Sequence, residues 1–169
     1  MAKKKSASSR ARDDAARGIR RVAQNRRARH DYEILETYEC GIALTGAEVK
    51  SLRAGHIALQ DAYARVERGE AWLVGAHVAP YEYAAGYGRF EPDRARKLLL
   101  HRRELDELAG QVAEKSLTLV PLSVYFKDGK AKVELALARG RRLYDKRHAI
   151  AARDAAREAQ RTIKEFQGR

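Results

Sequence analysis

One cysteine, Cys40, in 169 residues excludes an intramolecular disulfide and leaves no set of thiolates to close a structural zinc site. No apolar run approaches the roughly 20 residues that cross a bilayer. The basic start carries no apolar segment of the kind a secretory leader needs. These absences predict a soluble protein of a reducing cytoplasm. Catalytic signatures are missing too. The five histidines, His30, His56, His77, His101 and His148, show no H-E-x-x-H spacing, and there is no Walker, Rossmann or nucleophile-elbow motif. No catalytic residue, metal or cofactor is expected. A ribonuclease using His acid–base pairs is the enzymatic alternative.

What the chain does have is charge at its ends. Residues 1–29 hold eleven Lys/Arg against Asp13 and Asp14, a net of +9. Residues 139–169 hold ten against four acids, a net of +6, and the whole chain is +12. The middle, 30–138, is therefore slightly acidic. Two basic arms on such a core suit a polyanion, RNA or DNA, held by both. Solubilising tails are the plainer alternative, although mixed or acidic charge serves solubility as well.

The middle reads as mainly β. From His30 to Leu44 the even positions are mostly apolar and the odd ones mostly polar, with Leu35 and Glu36 breaking the alternation at an expected bend or bulge. Cys40 falls on the apolar face and reads as a small buried hydrophobe. Thr45-Gly-Ala-Glu48 has capping-box spacing for a short helix ending near Gly55. Leu59–Arg68 and Ala71–Val78 predict strands around Arg68-Gly69-Glu70. Residues 79–92 read as a loop. A second helix is expected over 101–113. Leu117–Phe126 and Ala131–Ala138 read as a hairpin closed by Lys127-Asp128-Gly129-Lys130. The sum is a small antiparallel barrel of about six strands and two short helices, of the oligonucleotide-binding type. Three regions follow: a basic, disordered arm over 1–24, the barrel over 25–138, and a basic tail over 139–169. The tail is Ala/Arg/Glu-rich with sparse apolar side chains, so it is expected to be disordered alone and helical on a charged surface. It lacks the broad apolar face of a membrane-surface helix.

The order of several blocks carries a resemblance. Asn25-Arg-Arg-Ala-Arg-His30-Asp-Tyr32 leads into the first long strand, followed by Thr45-Gly-Ala-Glu48-Val-Lys50-Ser-Leu-Arg53-Ala-Gly55 and Asp61-Ala-Tyr63-Ala. Then come Arg94-Ala-Arg96-Lys97-Leu98-Leu99-Leu100, Leu119-Val-Pro121-Leu122-Ser-Val-Tyr125-Phe126, and Ala138-Arg-Gly140-Arg141-Arg142-Leu-Tyr144-Asp145-Lys146-Arg147. Over about residues 25–160 this resembles the small protein B (SmpB) family, the tmRNA-binding proteins of bacterial trans-translation.

The resemblance implies a non-enzymatic, cytoplasmic, monomeric protein. It would bind the tRNA-like domain of tmRNA and deliver it to the A site of stalled ribosomes. Its partners would be tmRNA, the small ribosomal subunit and, indirectly, an elongation factor Tu complex of alanyl-tmRNA, with no membrane. A different basic RNA-binding or ribosomal protein is the remaining alternative.

By the same resemblance Glu39, Leu99 and His101 are tmRNA contacts, with His101 standing where some relatives have Asn. Arg53 and Tyr63 are further candidates, and Arg96 and Lys97 suit phosphates. A carboxylate such as Glu39 helps RNA only by accepting from base amino groups or 2′-hydroxyls; otherwise it is a solvated strand residue. His30 is implied at the decoding centre, although a lone His at a strand start also reads as structural. Gly140, Arg141, Arg142, Tyr144, Asp145, Lys146 and Arg147 are the implied ribosome-binding segment, followed by a helix in the empty mRNA channel.

Overall fold

The computed structural model describes residues 15–82, 90–141 and 143–167. In chain order the elements are β1 (Ile19–Gln24), α1 (Ala28–Asp31), β2 (Tyr32–Ile42), α2 (Gly46–Arg53), β3 (Ile57–Ala58), β4 (Tyr63–Glu67), β5 (Glu70–Val74), β6 (His77–Val78), β7 (Arg96–Leu99), α3 (Arg102–Lys115), β8 (Thr118–Lys127), β9 (Lys130–Gly140) and α4 (Leu143–Gln167).

The main sheet closes on itself. Its order runs β8-β4-β5-β7-β2-β9 and returns to β8, and every pairing is antiparallel. This is the expected barrel of mainly β architecture. The closure leaves few free edges, but β4 meets β8 only at Ala64–Leu119, so the far half of β8 stays open. β1 adds a seventh, laid against the far half of β8, so that Ile19 faces Lys127 and Gln24 faces Ser123. The alternation in β2 comes out as read: Tyr38, Cys40 and Ile42 point into the core. The pairing with β9 slips between Ile34 and Glu36, leaving Leu35 in a bulge, 45% exposed. With Leu73, Leu98, Leu119, Val124, Val133, Leu135 and Leu137 these side chains fill the barrel. Both hairpin turns, Arg68-Gly69 and Asp128-Gly129, hold two consecutive positive φ angles, the primed turn that matches the strands' twist.

The helices cover the barrel. α2 has the full capping box: Thr45 Oγ1 accepts from the Glu48 N–H, and the Glu48 carboxylate accepts from the Thr45 N–H at 2.8 Å. Its Leu52 is fully buried, as is Leu108 of α3. α1 packs Ala28 over a second small cluster with Val120, Leu122, Ala136 and Ala138.

Several expectations change. Ile19–Gln24 is strand, not disordered arm, because its backbone finds the free edge of β8. β9 continues through Gly140, so the barrel spans 19–140 rather than 25–138. His30 lies in α1 rather than in the strand that follows. The strands expected over 59–68 and 71–78 break into β4, β5 and short pieces. The cause at Gly75 is a φ of +75° where a Cβ would stand 2.8 Å from the Asp61 carbonyl oxygen. β7 is a strand that the local sequence pattern does not announce. The tail is helical from Leu143, and residues 150–163 of α4 are all exposed, so local helix propensity rather than packing shapes it.

Candidate RNA interface

The odd positions of β2 that point away from the core put Glu39 and Gly41 on the barrel's outer surface. The Tyr125 hydroxyl donates to Glu39 Oε2 at 2.6 Å, and Lys127 Nζ donates to both oxygens at 3.1 and 3.2 Å. The hydrogen bond from Tyr125 is the chief reason the Glu39 carboxyl is held below the ordinary carboxylate range; it outweighs the opposing cost of burial, and the bond and charge of Lys127 add to it. Glu39 is therefore an ionised, part-exposed acceptor whose negative charge is already countered. That removes most of the objection to a carboxylate facing a polyanion.

Cross-strand register builds the rest of the surface. Tyr125 faces Lys132, Lys132 faces Gly41, and Gly41 faces Leu99, so four strands contribute one transverse row. At about 4.8 Å per strand the row runs roughly 15 Å. Leu99 is 53% exposed. It can lie across β2 because its neighbour is glycine: a Cβ on Gly41 would stand 3.2 Å from Leu99 Cβ. Leu99 then lines an apolar groove of about 330 Å³ with Ile42, Leu44, Val49 and Phe126, with Lys130 and Lys132 on its rim. Arg53, at the end of α2, holds its guanidinium 5.8 Å from the centre of the Phe126 ring. His101 is exposed just after β7, and its N–H donates to Glu104 Oε2 at 3.1 Å, which fixes the start of α3 beside Leu99. Lys97 is on the same face of β7 as Leu99 and ion-pairs with Glu70.

Arg96 is a correction. It points inward from β7 and is completely buried. Its Nε donates to Glu48 at 2.9 Å, and its other nitrogens donate to the carbonyls of Ala76, Arg94 and Pro92. No phosphate can reach it. Arg94 donates to the same carboxylate, at 2.7 Å from Nε. Burial alone would raise the Glu48 pKa, but the bonds from Arg94 and the Thr45 N–H and the charge of Arg96 outweigh it and hold it low. The cluster ties the first turn of α2 to β7 and thereby sets where Leu99 emerges.

Tyr63 is also separate from the Leu99 groove. It is exposed at the start of β4 and lines a different cleft, with Asn25, Arg27, Asp31, Tyr32, Gln60 and Thr118. That cleft adjoins the root of the tail. Tyr32 faces Gly140, and the Arg141 N–H donates to the Asp31 carbonyl at 3.0 Å. His30 is there too, its Nδ1 2.9 Å from Asp31 Oδ1. Buried Asn25 anchors this end: its side chain donates to the Leu59 carbonyl and accepts from the Ala28 N–H. α4 leaves the barrel in contact with α1. Tyr144, Asp145, Lys146 and Arg147 fall on its first turns, where only Arg147 has a described side chain, which is exposed; Arg142 lies outside the described residues. The candidates thus divide into an outer face around Glu39, Leu99, His101, Lys97 and Arg53, and a tail root around His30, Tyr63, Gly140 and Arg141.

Sequence reasoning missed Tyr125, Lys127 and Lys132. Their outward positions were legible from alternation, but their convergence on Glu39 depends on the register of β2, β9 and β8.

The family model described as SmpB protein matches residues 22–165. The chain belongs to the SmpB family. Among members, the SsrA-binding protein of Roseiflexus sp. (strain RS-1) is 58% identical over 144 residues, 85% of this chain and 91% of that protein. The SsrA-binding protein of Frankia casuarinae (strain DSM 45818 / CECT 9043 / HFP020203 / CcI3) is 57% identical over 147 residues, 86% of this chain and 92% of that one. A chain in the solved structure "tmRNA-SmpB: a journey to the center of the bacterial ribosome" is 55% identical, covers 76% of this chain and 93% of its own length, and superposes with a TM-score of 0.60. Among the described residues, no helix is long and apolar enough to cross a membrane, and no three His, Cys, Asp or Glu side chains cluster as metal ligands.

Proposed function

We propose that this chain binds the tRNA-like domain of tmRNA on the face formed by Glu39, Leu99, His101, Lys97 and Arg53, and carries it to the A site of stalled ribosomes in the cytoplasm. It works by binding, without catalysis. The observation that carries this reading is the outer surface crossed by the transverse row, where Glu39 with its charge already countered, exposed Leu99, and Lys97, Lys127 and Lys132 share one face. Leu99 offers apolar area to a base or sugar, Glu39 accepts from amino groups or 2′-hydroxyls, and the cations meet phosphates.

The tail is the second contact. It leaves the barrel beside His30, and α4, 25 residues long, extends about 37 Å, a reach suited to the decoding centre and the empty mRNA channel. Asp145, Lys146 and Arg147 on its first turns, with Gly140, Arg141, Arg142 and Tyr144 before them, meet ribosomal RNA there.

The test separates the two jobs. Leu99→Asp should weaken binding of the isolated tRNA-like RNA by roughly 30-fold or more, since it removes apolar contact and adds charge against a polyanion. Truncation after Arg141, which keeps β9 whole, should leave that affinity within about twofold but abolish peptide tagging on stalled ribosomes. A Leu99→Asp protein that binds normally, or a truncated one that still tags, refutes the corresponding half.

A further inference from the structure

The transverse row does not stop at Tyr125. Tyr125 is also in register with Arg21 of β1, so the line reads Arg21, Tyr125, Lys132, Gly41, Leu99 across five strands. At about 4.8 Å per step, Arg21 stands roughly 19 Å from Leu99 along one continuous outer surface. One position earlier, Arg20 is in register with Phe126, and its Nη2 donates to the Arg53 carbonyl at 3.0 Å. Arg20 and Arg53 are thus brought side by side at the end of α2, next to the apolar groove. Ile19 faces Lys127 at the tip of the β8–β9 hairpin, and an added Cβ at Gly18 would lie 3.4 Å from Asp128 Oδ1. The chain before β1 therefore arrives beside Gly129 and Lys130, which line that groove. Arg17, Arg20 and Arg21 are all exposed, and residues 1–16 add Lys3, Lys4, Lys5, Arg10 and Arg12 against Asp13 and Asp14.

β1 sits at the sheet's margin, paired among the described residues with β8 alone, and Arg20 and Arg21, with Arg17 just before the strand, put three exposed cationic side chains there, a concentration of charge that suits a polyanion. We propose that β1 is a phosphate-binding margin of the RNA surface: Arg21 on the outer face that carries the row, and Arg20 and Arg17 at the rim beside the end of α2 and the hairpin tip, contact backbone phosphates of the same RNA that lies on Glu39 and Leu99. This rests on the binding face given under Proposed function. It assigns β1 a part in RNA affinity, with Arg20 aimed by its bond to α2. The occupant is RNA rather than an acidic protein segment, because the row that β1 continues ends in the groove offered to bases.

The experiment uses the full chain and the isolated tRNA-like RNA, with affinity measured from about 50 to 300 mM salt. The variant Arg17→Ala/Arg20→Ala/Arg21→Ala should bind about 10- to 100-fold more weakly at about 100 mM salt and flatten the plot of log affinity against log salt by two to three units, at about 0.9 per phosphate. The matching Arg→Lys triple variant should keep most of the slope. Unchanged affinity and slope in the Ala variant, with Leu99→Asp still impaired, overturns the role of β1 and leaves the binding face standing. A loss that lysine does not restore also overturns it, since the defect would then be a detached β1. Should Leu99→Asp bind normally while the Ala variant loses slope, the binding face fails and with it the shared-surface proposal.

Discussion

Arg96 offers the sharpest test of how this fold is held, because its sequence context suggests an RNA contact and its surroundings forbid one. Replacing it with methionine keeps an apolar stem and removes the guanidinium with its charge. Four bonds go: one to Glu48 at 2.9 Å, and those to the carbonyls of Ala76 at 2.9 Å, Arg94 at 3.0 Å and Pro92 at 2.9 Å. The Pro92 carbonyl keeps the Val78 N–H, and each of the other two, left without this donor, costs on the order of 1–1.5 kcal/mol. Glu48 keeps Arg94, so its charge is not orphaned, but losing half its pairing adds a further 1–2 kcal/mol or so. The total is about 3–5 kcal/mol, a large share of the roughly 5–15 kcal/mol that stabilises a domain. The single tryptophan, Trp72, faces Lys97 of β7 and reports directly on this strand. Urea unfolding followed by its fluorescence should show the midpoint falling by about 2 M, taking a slope near 2 kcal/mol per molar. A loss under about 1 kcal/mol refutes the structural role. So does a stable variant whose RNA binding loses one phosphate's worth of salt dependence, for Arg96 would then be reaching RNA.

Other consequences follow from single sites. Gly75→Ala forces a side chain onto a φ of +75° and within 2.8 Å of the Asp61 carbonyl, so the same urea titration should show a loss of about 2 kcal/mol or more; an unchanged midpoint would contradict the geometry. Burial pushes the Cys40 thiol up to about 12, so a disulfide reagent near pH 8 should label it only as fast as the protein unfolds, with the rate tracking urea concentration. Fast labelling in buffer would show an open barrel. The lowered pKa of Glu48 gives stability that is fully present above the ordinary carboxylate value of 4.5 and is lost as pH falls through the depressed value. Stability should therefore hold from neutral pH down to about 5 and then decline, and Glu48→Gln, less stable throughout, should decline less steeply.

Much was legible in the chain. Period-two alternation located β2 and its inward face, including the bulge at Leu35, because burial on one side of a strand writes itself into every second residue. Thr45 and Glu48 announced α2 because a capping box is local chemistry. The Asp128-Gly129 turn was readable for the same reason. Charge counts gave the two basic arms and a polyanionic partner, and the motif blocks gave the family. Tertiary structure alone decided what each charged residue faces. Arg96 and Lys97 are adjacent in sequence, yet strand alternation sends one into the core onto Glu48 and the other outward, and nothing local says which. Ile19–Gln24 looked like more of a charged arm because its reason to be strand is the open edge of β8, a hundred residues away. Tyr63 and Leu99 both read as RNA candidates, but ring closure sends them to different clefts. Local backbone chemistry is written in neighbouring residues and can be read there. A binding surface is written in the register between strands distant in sequence, which exists only once the barrel has closed.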